Sequence, residues 1–319
     1  MVFISNHFTN KQSSIIINPP PPPDPPVDES KNYQFITITN YNSHTSTTKT
    51  IIDEVVAKWE SVIISTPNNI FIEIAINFAQ LGSGILGGAT LNNYYHISSQ
   101  NIESYTNPTN PSQINPNLYS NYYLGQVIPK SGYIELNSSI WDSYTSIMRV
   151  DGKNNAYYIL LHEIGHVLGI GSLWYLQNTR GIDSNTNTMF YMGSKAINKY
   201  NNSLLFTNPQ NPITLSFIPI ENDGGSGTSG LHPEEGHELG VSSDDRTLSG
   251  VFYPGLNREI MTGWIENDTG TLPLSSITVG FLYDLGYTVN FNNADLYIIP
   301  YDNGMPDNGG GGPIKDPQR

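Results

Sequence analysis

The chain has 319 residues, enough for one large domain or two subdomains around a substantial core. Its formal net charge of -14 makes nucleic-acid phosphate a poor partner, so no nucleic acid is expected. The absence of cysteine excludes disulfides, thiolate metal ligands and cysteine nucleophiles, and no apolar run is long enough for a transmembrane segment. The N-terminus lacks the basic region and apolar core of a signal peptide, so standard export is not expected from it.

Residues 1–31 hold the run Pro19 to Pro23, then Asp24, Pro25 and Pro26. Such a run favours an extended chain and builds no core, so this segment reads as a disordered arm. A strand is expected through Tyr33, Phe35, Ile36 and Ile38. Ile51, Ile52, Val55, Val56, Trp59, Val62 and Ile63 then recur at helical spacing, with Thr47 or Thr48 as the cap. Ile70 to Asn77 reads as a strand, and Gly82, Gly84, Gly87 and Gly88 mark turns around it. Residues 100–130 are polar, with Pro108, Pro111 and Pro116, and read as an ordered loop or insertion. Tyr133 to Leu136 suggests a short strand, and a helix is expected from about Asn155 to Gly169. Residues 178–230 are rich in Asn, Thr, Gly and Pro and show little regular pattern. Ser275 and Ser276, then Ile277, Val279, Phe281, Leu282 and Leu285, signal a last helix closed by Gly286. The Gly-, Pro- and Asp-rich residues 303–319 read as a disordered tail. The order of elements predicts an α+β fold. Its N-terminal subdomain is expected over 32–171 and its less regular C-terminal subdomain over 172–302.

The segment Leu161 to Gly171 reads LHEIGHVLGIG. It places His162 and His166 four residues apart on one face of the predicted helix, where both imidazoles can reach one zinc ion. Glu163 lies on a neighbouring edge, where it can take a proton from a water that the metal acidifies. Tyr158, Ile159, Leu161, Ile164, Val167 and Leu168 make the helix apolar. A helix that buried rarely holds three ionisable residues without a use for them.

A catalytic zinc takes three protein ligands and keeps one position open. Gly169 stands where the helix can stop and the chain turn, but Ser172 occupies the position at which a compact motif would carry a third histidine. The third ligand must therefore come from further away. His7 lies in the arm, His44 before the first helix and His96 after Tyr94 and Tyr95, whereas His232 and His237 follow the motif in GLHPEEGHE. Asp183, Glu221, Asp223, Glu234 and Glu235 offer a carboxylate instead.

The chain resembles the leishmanolysin-like branch of the metzincins. The resemblance rests on HEIGHVLGIGSLW from His162 to Trp174, GGSGTSGLH from Gly224 to His232 and REIMTG from Arg258 to Gly263. LSSITVGFLYDLGYTVN from Leu274 to Asn290 resembles that family's closing helix and tail. It spans roughly residues 32–295; the lack of cysteine departs from leishmanolysin itself. It implies a zinc endopeptidase acting on protein or peptide substrates, in an extracellular or surface setting. His162, His166 and His232 would be its metal ligands, Glu163 its general base and Met261 an apolar floor in a tight turn. The implied fold has a twisted mixed sheet with the active-site helix above a cleft. One edge strand, near Leu86 to Leu91, would pair with an extended substrate. Two other readings compete with this one: a zincin with a carboxylate as third ligand, and a non-catalytic surface or adhesion module with a structural metal site. The acidic segment from Glu221 to Asp245 offers oxygens to calcium but lacks an EF-hand pattern, and reads as a solvated loop.

Overall fold

The computed structural model describes residues 29–82, 84–97, 102–106, 126–183, 188–204, 214–222, 227–236, 246–248, 251–266, 268–299 and 313–314. Most of the predicted arm and tail lies outside these residues.

The chain enters through β1 (Lys31–Asn32) and β2 (Ile36–Ile38), where Ile36 and Ile38 are fully buried. The helical repeat then forms α1 (Ser46–Val62), with Ile51, Ile52, Val55, Val56, Trp59 and Val62 inside. Its cap is Thr45, whose side chain accepts a hydrogen bond from the Thr48 amide at 3.2 Å. This corrects the expected cap at Thr47 or Thr48: both lie inside the first turn, and Thr45 alone has the extended backbone a cap requires. β3 (Ile63–Ser65) follows directly, then β4 (Ile72–Ala79), which alternates buried Ile72, Ile74 and Ile76 with more exposed residues.

The next region departs from the sequence reading. Gly87 and Gly88 begin β5 (Gly87–Ile97) and do not form a turn. The expected loop at 100–130 contains β6 (Ile102–Thr106) and the start of β7 (Gln126–Asn137), which is much longer than Tyr133 to Leu136. Asn93, Ser104, Pro129, Lys130 and Ser131 hide the alternation here. Pairing with strands distant in sequence holds these residues extended, so local propensity is overridden. The six strands lie in the order β1-β2-β4-β7-β5-β6. β2, β4 and β7 are parallel, while β1, β5 and β6 run antiparallel to their neighbours. The sheet is therefore mixed.

Helix α2 (Trp141–Ser146) leads into α3 (Asn155–Val167), which carries the histidine motif. The Asn154 side chain caps α3 by accepting from the Tyr157 amide at 2.8 Å. Every residue of α3 except His162 is buried, because α1, β5 and β7 pack around it. Trp59 of α1 is fully buried, and its indole N–H donates to the Leu161 carbonyl at 3.0 Å.

The C-terminal half is more regular than its composition suggests. β8 (Arg180–Asp183), β9 (Thr188–Tyr191) and β10 (Ile218–Pro219) form an antiparallel sheet in the order β10-β9-β8. Helix α4 (Ser194–Ser203) packs on α5 (Ser276–Asp284). β11 (Arg246–Leu248) and β12 (Val251–Tyr253) make a hairpin. β13 (Ile265–Glu266) precedes α5, which Ser275 caps and Gly286, at a φ of 96°, follows as expected. β14 (Thr288–Val289) returns to pair with β3, and one hydrophobic core runs through both halves. Two residues of the expected tail form β15 (Pro313–Ile314), paired with β13. The architecture is mixed, with five helices and a mixed sheet among the described residues.

Candidate metal centre

His162 and His166 face the same side of α3, one turn apart, and His232 meets them from the C-terminal half. The His166 Nε2 lies 2.9 Å from both the His162 and the His232 Nε2, and those two are 3.2 Å apart. The three groups lie close enough together to bind a metal ion.

Hydrogen bonding decides what those nitrogens present. The His162 Nδ1 lies 2.7 Å from the Ile260 carbonyl, the His166 Nδ1 2.9 Å from that of Ile170, and the His232 Nδ1 2.9 Å from that of Thr228. A carbonyl oxygen only accepts, so each Nδ1 carries the proton and donates it. Each neutral imidazole then turns a bare Nε2 lone pair towards the other two. Three converging lone pairs repel unless a cation lies between them. Nitrogens held tetrahedrally at about 2.0–2.1 Å from a metal would stand about 3.3 Å apart, close to the spacing here. Burial holds the His162 imidazole down to about 4 and keeps that of His166 well below its ordinary range, so both are neutral near pH 7. The donor set and its backbone partners fit a divalent metal.

Each supporting carbonyl has a local origin. The end of α3 is a Schellman motif: the Gly169 amide donates to the His166 carbonyl at 3.1 Å and the Ile170 amide to that of Gly165 at 3.1 Å. Gly169 has a φ of 107°, which only glycine adopts without strain. The turn brings the Ile170 carbonyl back to the His166 ring. Ser172, found where a compact motif has histidine, donates its hydroxyl to the His166 carbonyl at 2.6 Å. His232 sits in a segment zipped to residues 219–221. There the Glu221 amide donates to the His232 carbonyl at 3.0 Å and the Glu234 amide to that of Pro219 at 2.9 Å.

The third support is the turn at Met261. Glu259 is buried, and its carboxylate accepts from the Met261 amide at 2.8 Å and the Ser275 amide at 3.0 Å. The turn closes as the Thr262 amide donates to the Glu259 carbonyl at 3.1 Å. The Met261 side chain is fully buried under α3 at Gly165, where an added Cβ would lie 2.5 Å from its sulfur. Gly165, between the two histidines of the motif, therefore lets the turn approach the helix.

Glu163 is buried beside the cluster but is not one of its three members. Its carboxylate sits against β5: a Cβ on Gly87 would lie 3.0 Å from the Glu163 Oε1. Both residues line a cavity of about 340 Å³ with His162, His166, His232 and the segments 86–90 and 262–265. Within β5, Asn93 to Ile97 pair with β6, while Gly87 to Leu91 pair only with β7 among the described residues. The start of β5 lies next to the cluster, and β5 is an interior strand between β7 and β6 rather than the edge strand expected near Leu86 to Leu91.

The structure brings together His162, Glu163, His166, His232 and Met261. His44 packs edge-on against Phe78, and His96 lies in β5 opposite Val127 and Glu103. His7, His237 and Asp223 lie outside the described residues. No carboxylate joins the three histidines among the described residues; Glu221, Glu234 and Glu235 are buried elsewhere. Sequence reasoning missed Glu259 and the three carbonyls. A backbone acceptor has no side-chain signature, and a glutamate before Ile-Met reads as an ordinary surface residue. No helix among the described residues is long and apolar enough to cross a membrane. Comparison with known proteins finds no matching family model and no matching curated protein.

Proposed function

We propose that the chain is a zinc-dependent endopeptidase of metzincin type, as its resemblance to the leishmanolysin-like branch implies. One observation carries the reading: three imidazoles, each held through Nδ1–H by a backbone carbonyl, converge their Nε2 atoms beside a buried carboxylate on an open cavity. His162, His166 and His232 would hold the ion. When bound, zinc supplies a Lewis acid that polarises a carbonyl oxygen and acidifies water.

The chain's own groups do the rest. Glu163, adjacent to His162 but outside the nitrogen cluster, accepts the proton of the attacking water and returns it to the leaving amine. The start of β5 at Gly87 and Gly88 lines the same cavity as the histidines, and an extended peptide bound along it would lay its scissile bond across them. Extended binding of this kind favours chain segments without regular structure over folded ones. A structural metal site would need no carboxylate poised in the cavity.

The test is Glu163→Gln, which keeps the size of the side chain and one accepting oxygen but removes the base. Metal content and melting temperature should stay near those of the wild type, while hydrolysis of casein or a quenched peptide falls by about 10²–10⁴-fold. Cleavage at the wild-type rate by the purified variant would refute the mechanism. A chelator-insensitive wild type would refute the metal's part in it.

A further inference from the structure

Behind the turn at Met261 the structure buries more acid than base. Glu235 and Glu266 are each 5% exposed, and their carboxyl groups lie within hydrogen-bonding reach of one another. One oxygen of Glu235 accepts from the Arg258 amide at 3.1 Å. The other, and both oxygens of Glu266, accept no hydrogen bond of normal geometry among the described residues: the Thr262 side chain is close to Glu235 but donates its hydroxyl to the Glu259 carbonyl, and the backbone of Glu266 is close to its own carboxylate. The two nearby guanidinium groups favour an ionised Glu266 through their charge, but their hydrogen bonds go to other groups. Arg258 holds Asp268 through both Nη atoms. Arg149 donates to the Asn155 side chain and to the Gly270 and Glu266 carbonyls at 2.6–2.9 Å.

Two buried carboxylates in contact cannot both stay ionised without compensation. A shared proton would link one oxygen from each and leave the remaining acceptors unsatisfied. A hard cation draws on both groups at once, and calcium takes six to eight oxygens in flexible geometry, carboxylates among them. Magnesium keeps most of its water and demands strict octahedral order, which suits so enclosed a place poorly. We propose that Glu235 and Glu266 form a calcium-binding site, completed by main-chain oxygen or water. It is separate from the histidine cluster, and its all-oxygen character selects a different ion. Glu235 follows His232 by three positions, and Glu266 lies just beyond Met261 and Thr262. An ion between them pins the segment that carries His232 to the one that carries Met261.

The test uses the purified full chain and no activity readout, so it stands apart from the peptidase reading. Terbium serves as the luminescent calcium analogue, excited through Trp264, which is buried two residues from Glu266. Terbium emission should saturate and be displaced by calcium, and calcium should raise the melting temperature by several degrees. The isosteric double variant Glu235→Gln/Glu266→Gln should lose both responses. It should also melt higher than the wild type in chelator, because the like-charge repulsion is gone. Equal responses in variant and wild type overturn the proposal. So does a wild type with neither response; a melting temperature that then rises on mild acidification assigns the pair a shared proton.

Discussion

Each of the three clustered imidazoles is one half of a pair whose other half is a carbonyl. The pairing fixes the tautomer, and the tautomer fixes which nitrogen faces inward. His232 is the member set by the least local geometry, because its position depends on the 219–221 zipper and on the Thr228 carbonyl. His232→Ala should release the metal and abolish hydrolysis, since two imidazoles hold zinc far more weakly than three. His237→Ala should keep both. Metal analysis of the two purified variants decides between them: the reverse pattern moves the ligand to His237, and retention by both points to a carboxylate.

At the scale of elements, α3 would supply two ligands and the base of the proposed site, but its end and its floor supply the precision. The Schellman turn orients His166, and the turn at Met261 orients His162 through the Ile260 carbonyl. Glu259 joins that second turn to the first residues of α5 by bridging the Met261 and Ser275 amides. Glu259→Ala orphans two buried donors, at about 1–3 kcal/mol each. Both the midpoint of denaturant unfolding and the metal affinity should fall. Glu259→Gln keeps one accepting oxygen and should fall less on both counts. Wild-type metal affinity in the alanine variant would show that the turn holds its shape without the carboxylate.

For the whole molecule, acid should act through two opposed sets of groups. The folded state holds His162 near 4 and His166 well below its ordinary value, so the unfolded chain takes up protons below about pH 6.5 that the folded chain refuses. Stability from this set is present above about pH 6.5 and is lost as the pH falls towards 4. Burial raises Glu235, Glu259 and Glu266, so their contribution is present at low pH and is lost as the pH rises through their folded values. A bound metal strengthens the first set, because it keeps all the imidazoles unprotonated. The metal-loaded protein should therefore lose stability between about pH 7 and pH 5 as metal is released, while the chelated protein varies less. Melting temperature and metal content across that range test this; parallel curves for the two forms would contradict it.

The sequence by itself determined the short-range features. The spacing of His162, Glu163 and His166 sets one helix face, the apolar repeat of α1 sets its buried stripe, and Ser275 and Gly286 bound α5. Each follows from the backbone geometry of a single element. The sequence also narrowed the distant histidines to His232 and His237, and the resemblance carried by Gly224 to His232 implied His232. Only the tertiary structure decided where that histidine goes, since its approach runs through contacts with residues 219–221 that no local pattern encodes. β6 and the first half of β7 were illegible for the same reason: a polar strand is held extended by its neighbours across the sheet. The three carbonyls and the Glu235–Glu266 pair belong to tertiary structure alone, because a backbone acceptor has no residue type and burial of a glutamate depends on what folds over it.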